Sequence, residues 1–325
     1  MSEFLLAASH LLLALMLMVC PGLLLAQQNF PAKPVRIIVP YPPGGGLTPT
    51  ARLLGQKLTE NWGQQVIIDN RGGGNTIIGS EAVAKAVPDG YTLLFQANSH
   101  ILTPLLLTTP FDPIRDFTPV ATASVSEFAL VVHPTVKAAN LKELTALARA
   151  QPGKLNFATS GSGNVTHMAM ELVNLMAGVR MQQVPYKGSG PAMTDLLGGQ
   201  VQVYMGVSAN IIPHVKSGKL IGIAVSGDKR LQALPQVPTL TESGMPGFRL
   251  NAWTGVFGPA GMSKALLDKL SADFMSIAQA PEFREKLADL ALDPFINTPE
   301  QFAALLKAEM ANFQKVIAAA NIKLE

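Results

Sequence analysis

The feature that most limits what this chain can become is an alternation. Short apolar runs of strand length each enter a loop rich in glycine, proline or hydroxyl residues, and each loop opens into a segment with helical periodicity. Residues 35–39 form the first such run. It enters Pro40-Tyr41-Pro42-Pro43-Gly44-Gly45-Gly46, after which Thr48-Pro49 reads as a helix start, with Thr48 as N-cap and Pro49 at the first helical position. A second unit follows, with a strand at 66–68, a glycine-rich loop at 71–75 and a helix at 76–87. Pro88-Asp89-Gly90 then stops that helix before a strand at 91–95. This order predicts an α/β fold built on parallel sheet with crossover helices.

The unit recurs between about residues 128 and 225. Asn140 and Glu143 predict a capping box for a helix running to Ala150, residues 155–158 a strand, and residues 159–164 a polar loop before a helix that ends at Gly178. Strands at 182–184, 201–205 and 220–225 complete this half. Beyond it the chain returns to long amphipathic helices, one with Leu266, Leu270, Phe274 and Ile277 on a face, the other opening at Thr298-Pro299-Glu300-Gln301. The expected organisation is therefore two lobes. Lobe one comprises 31–124 with 228–325, lobe two comprises 125–227, and crossings near 124–126 and 226–228 permit a hinge.

Composition narrows the function. Only 14% of the residues are charged, 25 basic against 22 acidic with no run of one sign, so the footprint of a nucleic-acid binder is missing. One cysteine makes no internal disulfide, and five scattered histidines give no metal-ligand spacing. No metal and no cofactor is expected: the GxGxxG and Walker patterns of nucleotide sites are both absent. Residues 11–19 are an apolar core too short to span a bilayer, followed by Pro21-Gly22 and Leu24-Leu25-Ala26. That is the layout of a signal peptide over 1–26, cleaved near Ala26, which places the mature, cysteine-free chain in the periplasm as a soluble monomer.

Six ordered motifs carry a resemblance. They are Tyr41-Pro42-Pro43-Gly44-Gly45, Pro88-Asp89-Gly90-Tyr91-Thr92-Leu93-Leu94, Gly153-Lys154-Leu155-Asn156-Phe157-Ala158, Val184-Pro185-Tyr186-Lys187-Gly188, Asp195-Leu196-Leu197-Gly198-Gly199-Gln200-Val201 and Leu234-Pro235-Gln236-Val237-Pro238-Thr239. From about Pro31 to its end the chain resembles the Bug family of periplasmic solute-binding proteins, the binding components of tripartite tricarboxylate transporters. The resemblance implies a type II periplasmic-binding-protein fold, two Rossmann-like lobes with a ligand cleft between them. It also implies a small organic carboxylate as ligand, and the transporter's membrane subunits or a sensor as partners. In the family the position of Thr48 is usually an aspartate; threonine removes that charge and favours a ligand without an ammonium group at that end.

The residues themselves point to loops that follow strand ends, where open α/β sheets bind ligands. Gly44, Gly45 and Gly46 before a helix N-terminus can receive an anion on backbone amides without an arginine. The facing loop supplies Ser160, Gly161, Gly163 and Asn164, followed by Thr166 and His167. Tyr41, Thr48, Asn98 and Ser99 of lobe one, and Tyr186, Gly188, Ser208 and Asn210 of lobe two, occupy the same edge of their sheets. Tyr41, Tyr186, Trp253 and Phe257 are aromatic candidates for the wall. The competing reading is a periplasmic hydrolase using Ser160 or Ser162 with His167, or Ser189 with Lys187. No Gly-x-Ser-x-Gly elbow supports it, so no catalytic residue is assigned.

Overall fold

The computed structural model describes residues 30–43, 47–248, 250–290 and 292–323. The expected leader and the Gly44–Gly46 stretch lie outside the described residues. Among the described residues, no helix is long and apolar enough to cross a membrane.

The chain begins β1 (Val35–Val39), α1 (Thr48–Trp62), β2 (Val66–Asn70), α2 (Ile77–Ala84), β3 (Thr92–Ala97), α3 (Ser99–Leu106) and β4 (Phe117–Ser126). It passes at Glu127 into β5 (Phe128–Val132), α4 (Leu141–Ala150), β6 (Asn156–Thr159), α5 (Val165–Ala177), β7 (Gln182–Pro185), α6 (Ser189–Leu197), β8 (Val203–Val207), α7 (Ser208–Lys216) and β9 (Ile221–Val225). It returns through β10 (Ala252–Pro259), α8 (Lys264–Gln279), α9 (Pro281–Asp289), β11 (Asp293–Pro294) and α10 (Pro299–Ala320). The first sheet runs β11-β4-β10-β3-β1-β2, the second β7-β6-β8-β5-β9.

β1 is parallel to β2 and β3, and β6 to β7 and β8. The strands that first enter a sheet from the other lobe, β5 and β10, run antiparallel to their neighbours. A chain arriving from the facing lobe starts at the end where the parallel strands finish, so it must run against them. β1 buries Val35, Ile37 and Val39 in one core and Ile38 in another, with only Arg36 exposed, as expected of a strand covered by helices on both sides.

Several starts and stops follow local chemistry. Thr298 and Gln301 form the expected capping box of α10. Asn140 caps α4, but Glu143 reaches the N–H of Ala139 rather than that of Asn140. Thr48 is the first residue of α1 rather than its cap; Leu47 stands at the cap and Pro49 falls one position later. The Asn70 amide explains this shift: it donates to Thr48 Oγ1 (3.0 Å) and to the Tyr41 carbonyl (3.1 Å), engaging the threonine hydroxyl otherwise free to cap.

The return between lobes differs from the sequence expectation. After β9 the chain bridges Val225 to Thr239, and Leu234 and Val237 pack with Ala129, Val131 and Ile211. Residues 229–240 therefore stay on the second sheet, where the sequence reading placed them in lobe one, because their apolar side chains have their core there. The chain re-enters the first sheet at Ala252, opposite Ser126.

The last helix ties both lobes together. α10 packs on β4 and α3 of the first lobe and on α5 of the second. Its Phe302 sits 5.2 Å from the Trp253 ring and 4.9 Å from Phe257, so close to β10 that a Cβ at Gly255 would lie 2.5 Å from Phe302. Halfway along, Glu309 accepts from Trp253 Nε1 (2.7 Å) and Asn98 Nδ2 (3.1 Å). Burial pushes its carboxyl up to about 7, against those two bonds. Glu127, where the chain passes from β4 to β5, is pushed up to about 7 by burial and then by Asp293 and Asp228.

Folding raises both pKa values, so the stability these protonated groups contribute is complete below their unfolded pKa of about 4.5 and is lost as pH rises through 7. The buried Glu309 accounts for on the order of 1–3 kcal/mol; Glu127 is only half-buried, and solvent screening makes its share smaller. The thermal midpoint should fall between pH 5 and pH 8, and Glu309→Gln, which keeps an acceptor without the charge, should fall less. An equal or steeper decline in the variant would contradict this assignment.

Candidate ligand site between the lobes

A cavity of about 340 Å³ lies where the C-terminal ends of the strands of the two lobes face each other. Lobe one lines it with Pro40, Tyr41 and Pro42 after β1, Gly73, Asn75 and Thr76 after β2, and Ser99, Thr103, Leu106 and Leu107 in and after α3. Lobe two adds Ser162, Gly163 and Asn164 after β6. Among the described residues that line it, none carries a charged side chain. The helices α2, α3 and α5 begin at this edge, and their first-turn N–H groups and dipoles favour negative charge.

Each wall is held from behind. Gly79 in α2 lies so near Pro40 and the Arg71 carbonyl that a Cβ would meet them at 2.6 and 2.8 Å, so only glycine lets α2 press against the end of β1. Just before it, Asn75 and Thr76 take positive φ values of 50° and 76°, an uncommon conformation for non-glycine residues and a costly one for β-branched threonine. The Thr103 hydroxyl bonds the Asn75 carbonyl at 3.1 Å and holds that strained turn.

In the facing loop Asn164 is the N-cap of α5, accepting from the N–H groups of Thr166 (3.0 Å) and His167 (3.1 Å). Its amide donates to Ser160 Oγ at 2.8 Å. His167 Nδ1 accepts the Gly163 N–H (3.1 Å), which leaves the proton on Nε2, facing Glu171 at 3.6 Å. This histidine braces the loop.

Of the residues singled out in the sequence, Tyr41, Ser99, Gly163 and Asn164 line the cavity, while Gly44, Gly45 and Gly46 lie outside the described residues. Thr48 is buried under Asn70. Asn98 turns away, its amide spent on the Asn251 carbonyl and Glu309. Ser160, Gly161 and Thr166 build the loop without lining the cavity, and Gly188 bonds the Ser160 carbonyl through its N–H. Tyr186 donates to Asp195 at 2.7 Å, Ser208 is buried beside Glu127 and Asn210 is exposed. Of the aromatic candidates Tyr41 alone reaches the cavity; Trp253 and Phe257 are core residues.

Of the lining residues, sequence reasoning did not single out Pro40, Pro42, Gly73, Asn75, Thr76, Thr103, Leu106 and Leu107. The run Gly72-Gly73-Gly74 before a helix repeats the pattern that drew attention to Gly44–Gly46 and was a usable signal. The α3 contacts had none, because Pro104 disguised the helix.

Neither Ser160 nor Ser162 is hydrogen-bonded to His167 among the described residues. Ser160 Oγ bonds Thr166 and Asn164 rather than His167, and Ser162 is 3.4 Å from Gln183. A larger groove of about 620 Å³ runs along α5 to the end of α10, with Glu171, Arg180 and Lys323 on its walls. It starts at Ser162, which it shares with the smaller cavity, and at His167, then follows α5 towards its C-terminal end and the start of β7, away from the edge favoured for ligands in α/β sheets.

The family described as "Tripartite tricarboxylate transporter family receptor" matches residues 50–322. The chain belongs to this receptor family. It is 34% identical to protein BugT of Bordetella pertussis over 91% of this chain and 92% of that protein. Among solved structures, the R. palustris protein Rpa4515 with adipate superposes with a TM-score of 0.78 at 31% identity, over 90% of this chain and 99% of that one. MatC of Rhodopseudomonas palustris with bound malate gives 0.74 at 30%, over 89% and 100%. The two-lobed fold of this receptor is thus that of solute-binding proteins.

The two cavities can be told apart by substitution. Leu106→Trp fills only the smaller one and should weaken ligand binding at least about tenfold, whereas Arg180→Ala in the groove should change it by less than about twofold. Isothermal titration with a carboxylate that stabilises the wild type measures both. The reverse order would move the site to the groove.

Proposed function

We propose that this chain is an exported receptor that captures a small organic carboxylate between its lobes and presents it to the membrane subunits of a tripartite transporter or to a sensor. The observation that carries this reading is the uncharged cavity at the facing strand ends, walled by hydroxyls, glycines and helix starts from both lobes. Such a site receives a carboxylate on dipoles rather than on an arginine fork. Arg71 supports this: it is paired with Asp69 at 2.9 Å and does not line the cavity.

The adipate and malate in the related structures are small carboxylates of a size this cavity can take. Three or four hydrogen bonds to a charged group, at about 1.5–3 kcal/mol each, suffice for micromolar binding once closure excludes water. The leader is removed near Ala26, and the mature periplasmic chain works as a monomer that binds without chemical turnover.

A thermal-shift screen of mono-, di- and tricarboxylates, aromatic acids and amino acids tests the reading. At about one hundred times its dissociation constant a true ligand adds about 2.7 kcal/mol and should raise the midpoint by several degrees. Lys187 is exposed, so Lys187→Ala should leave the affinity within about twofold, while Gly45→Val should weaken it further. Turnover of the ligand, or no stabilisation by any acid, would contradict a binding role.

A further inference from the structure

Beneath the cavity floor lies a chain of three polar groups whose hydrogen bonds have a direction. Gln96 on β3 is fully buried. Its Oε1 accepts two protons, one from the Ala97 N–H (3.0 Å) and one from Ser99 Oγ (3.1 Å). Ser99 is in turn hydrogen-bonded to the Tyr41 hydroxyl, and Ser99 and Tyr41 both line the cavity. Gln96 Nε2 is buried and has no hydrogen-bond partner among the described residues.

Counting protons fixes the polarity. Ser99 has one hydroxyl proton and spends it on Gln96, so the bond between Ser99 and Tyr41 must use the proton of Tyr41. Tyr41 then has lone pairs, and no proton, to offer the cavity. Reversing the chain either takes the Ser99 proton away from Gln96 Oε1 or turns the amide over, which would set Nε2 against the Ala97 N–H, donor against donor. The orphaned Nε2 is therefore the lesser cost of an orientation imposed by the backbone at Ala97. Burial pushes the Tyr41 hydroxyl up to about 12, so it remains protonated at neutral pH and keeps donating to Ser99.

An acceptor at Tyr41 repels a carboxylate oxygen and welcomes a donor. With no acidic side chain among the described lining residues, an ammonium has no counter-charge there, and the donor that fits is a hydroxyl. We propose that Gln96 is a positioning residue that, through Ser99, makes Tyr41 a hydrogen-bond acceptor towards the cavity, so that the site prefers carboxylates bearing a hydroxyl over the same carbon skeleton without one. This rests on the carboxylate-receptor reading above and adds the chemical class of the ligand to it.

The test uses matched pairs titrated calorimetrically into the full mature protein: malate and succinate, citrate and tricarballylate, lactate and propionate, mandelate and phenylacetate. For the pair that fits the cavity, the hydroxylated acid should bind at least about tenfold more tightly than its partner, since a site built to bond a hydroxyl leaves a polar group unpaired when it is missing. Gln96→Met and, independently, Ser99→Ala release the Tyr41 proton and should bring that ratio to within about twofold of one. Ser99→Ala sits at the partly exposed floor and keeps the test alive if Gln96→Met does not fold. A merely structural role for Gln96 would lower both affinities together and leave the ratio intact, which overturns the proposal. So does equal or tighter binding of the unsubstituted acid in every pair that binds, with the receptor reading left standing. Binding of none of these acids overturns the receptor reading and the proposal with it.

Discussion

The structure depends on the pairing of β4 with β10. Both passages of the chain between lobes leave the first sheet side by side from this antiparallel ladder, with Ser126 opposite Ala252 and Ser124 bonded to Thr254 at 2.7 Å. On the other side Ser226 takes the Phe128 N–H on its hydroxyl (2.9 Å) and donates to Asn251 (3.3 Å). The two passages lie side by side and form one two-stranded connection between the lobes. It sets the facing of the sheets: chains that cross at the strand ends bring those ends together, and the loops that follow them become the walls of the site.

Asn98 links the cavity edge to the crossing between the lobes. Its neighbour Ser99 faces the cavity, while the Asn98 side chain reaches back to Asn251 at the crossing and to Glu309 on α10. The loop at the cavity is thus anchored to the segment that returns between the lobes and to the helix that packs on both. A neutral site suits this arrangement. A buried arginine would need desolvation or a partner in the open state, whereas amides and hydroxyls hydrogen-bonded within their own loops are already in place.

Much of this was legible in the sequence because it is local. The order of strand, loop and helix, the Thr298 cap, the Asn140 cap and the inserted second lobe all follow from short-range patterns. Tyr41, Ser99, Gly163 and Asn164 come to line one cavity because residues after strand ends share an edge. What stayed hidden depends on contacts distant in sequence. Asn70 takes the hydroxyl of Thr48 from 22 positions away, and Asn98 is claimed by Glu309 from 211 positions away. Leu234 and Val237 find their core in lobe two although the chain has already left its last strand there. No periodicity encodes such choices.

If a carboxylate is held between the lobes by loops from both, without a cationic side chain, its complex must show it there. A crystal structure of the complex with the acid that stabilises the protein most is the direct measurement. It should show the carboxylate oxygens within about 3.2 Å of amides or hydroxyls from the loops after β1, β2 or β3 and from the loop after β6. A carboxylate paired with Arg180 or Lys323 in the groove beside α5, or with Lys187, would contradict it.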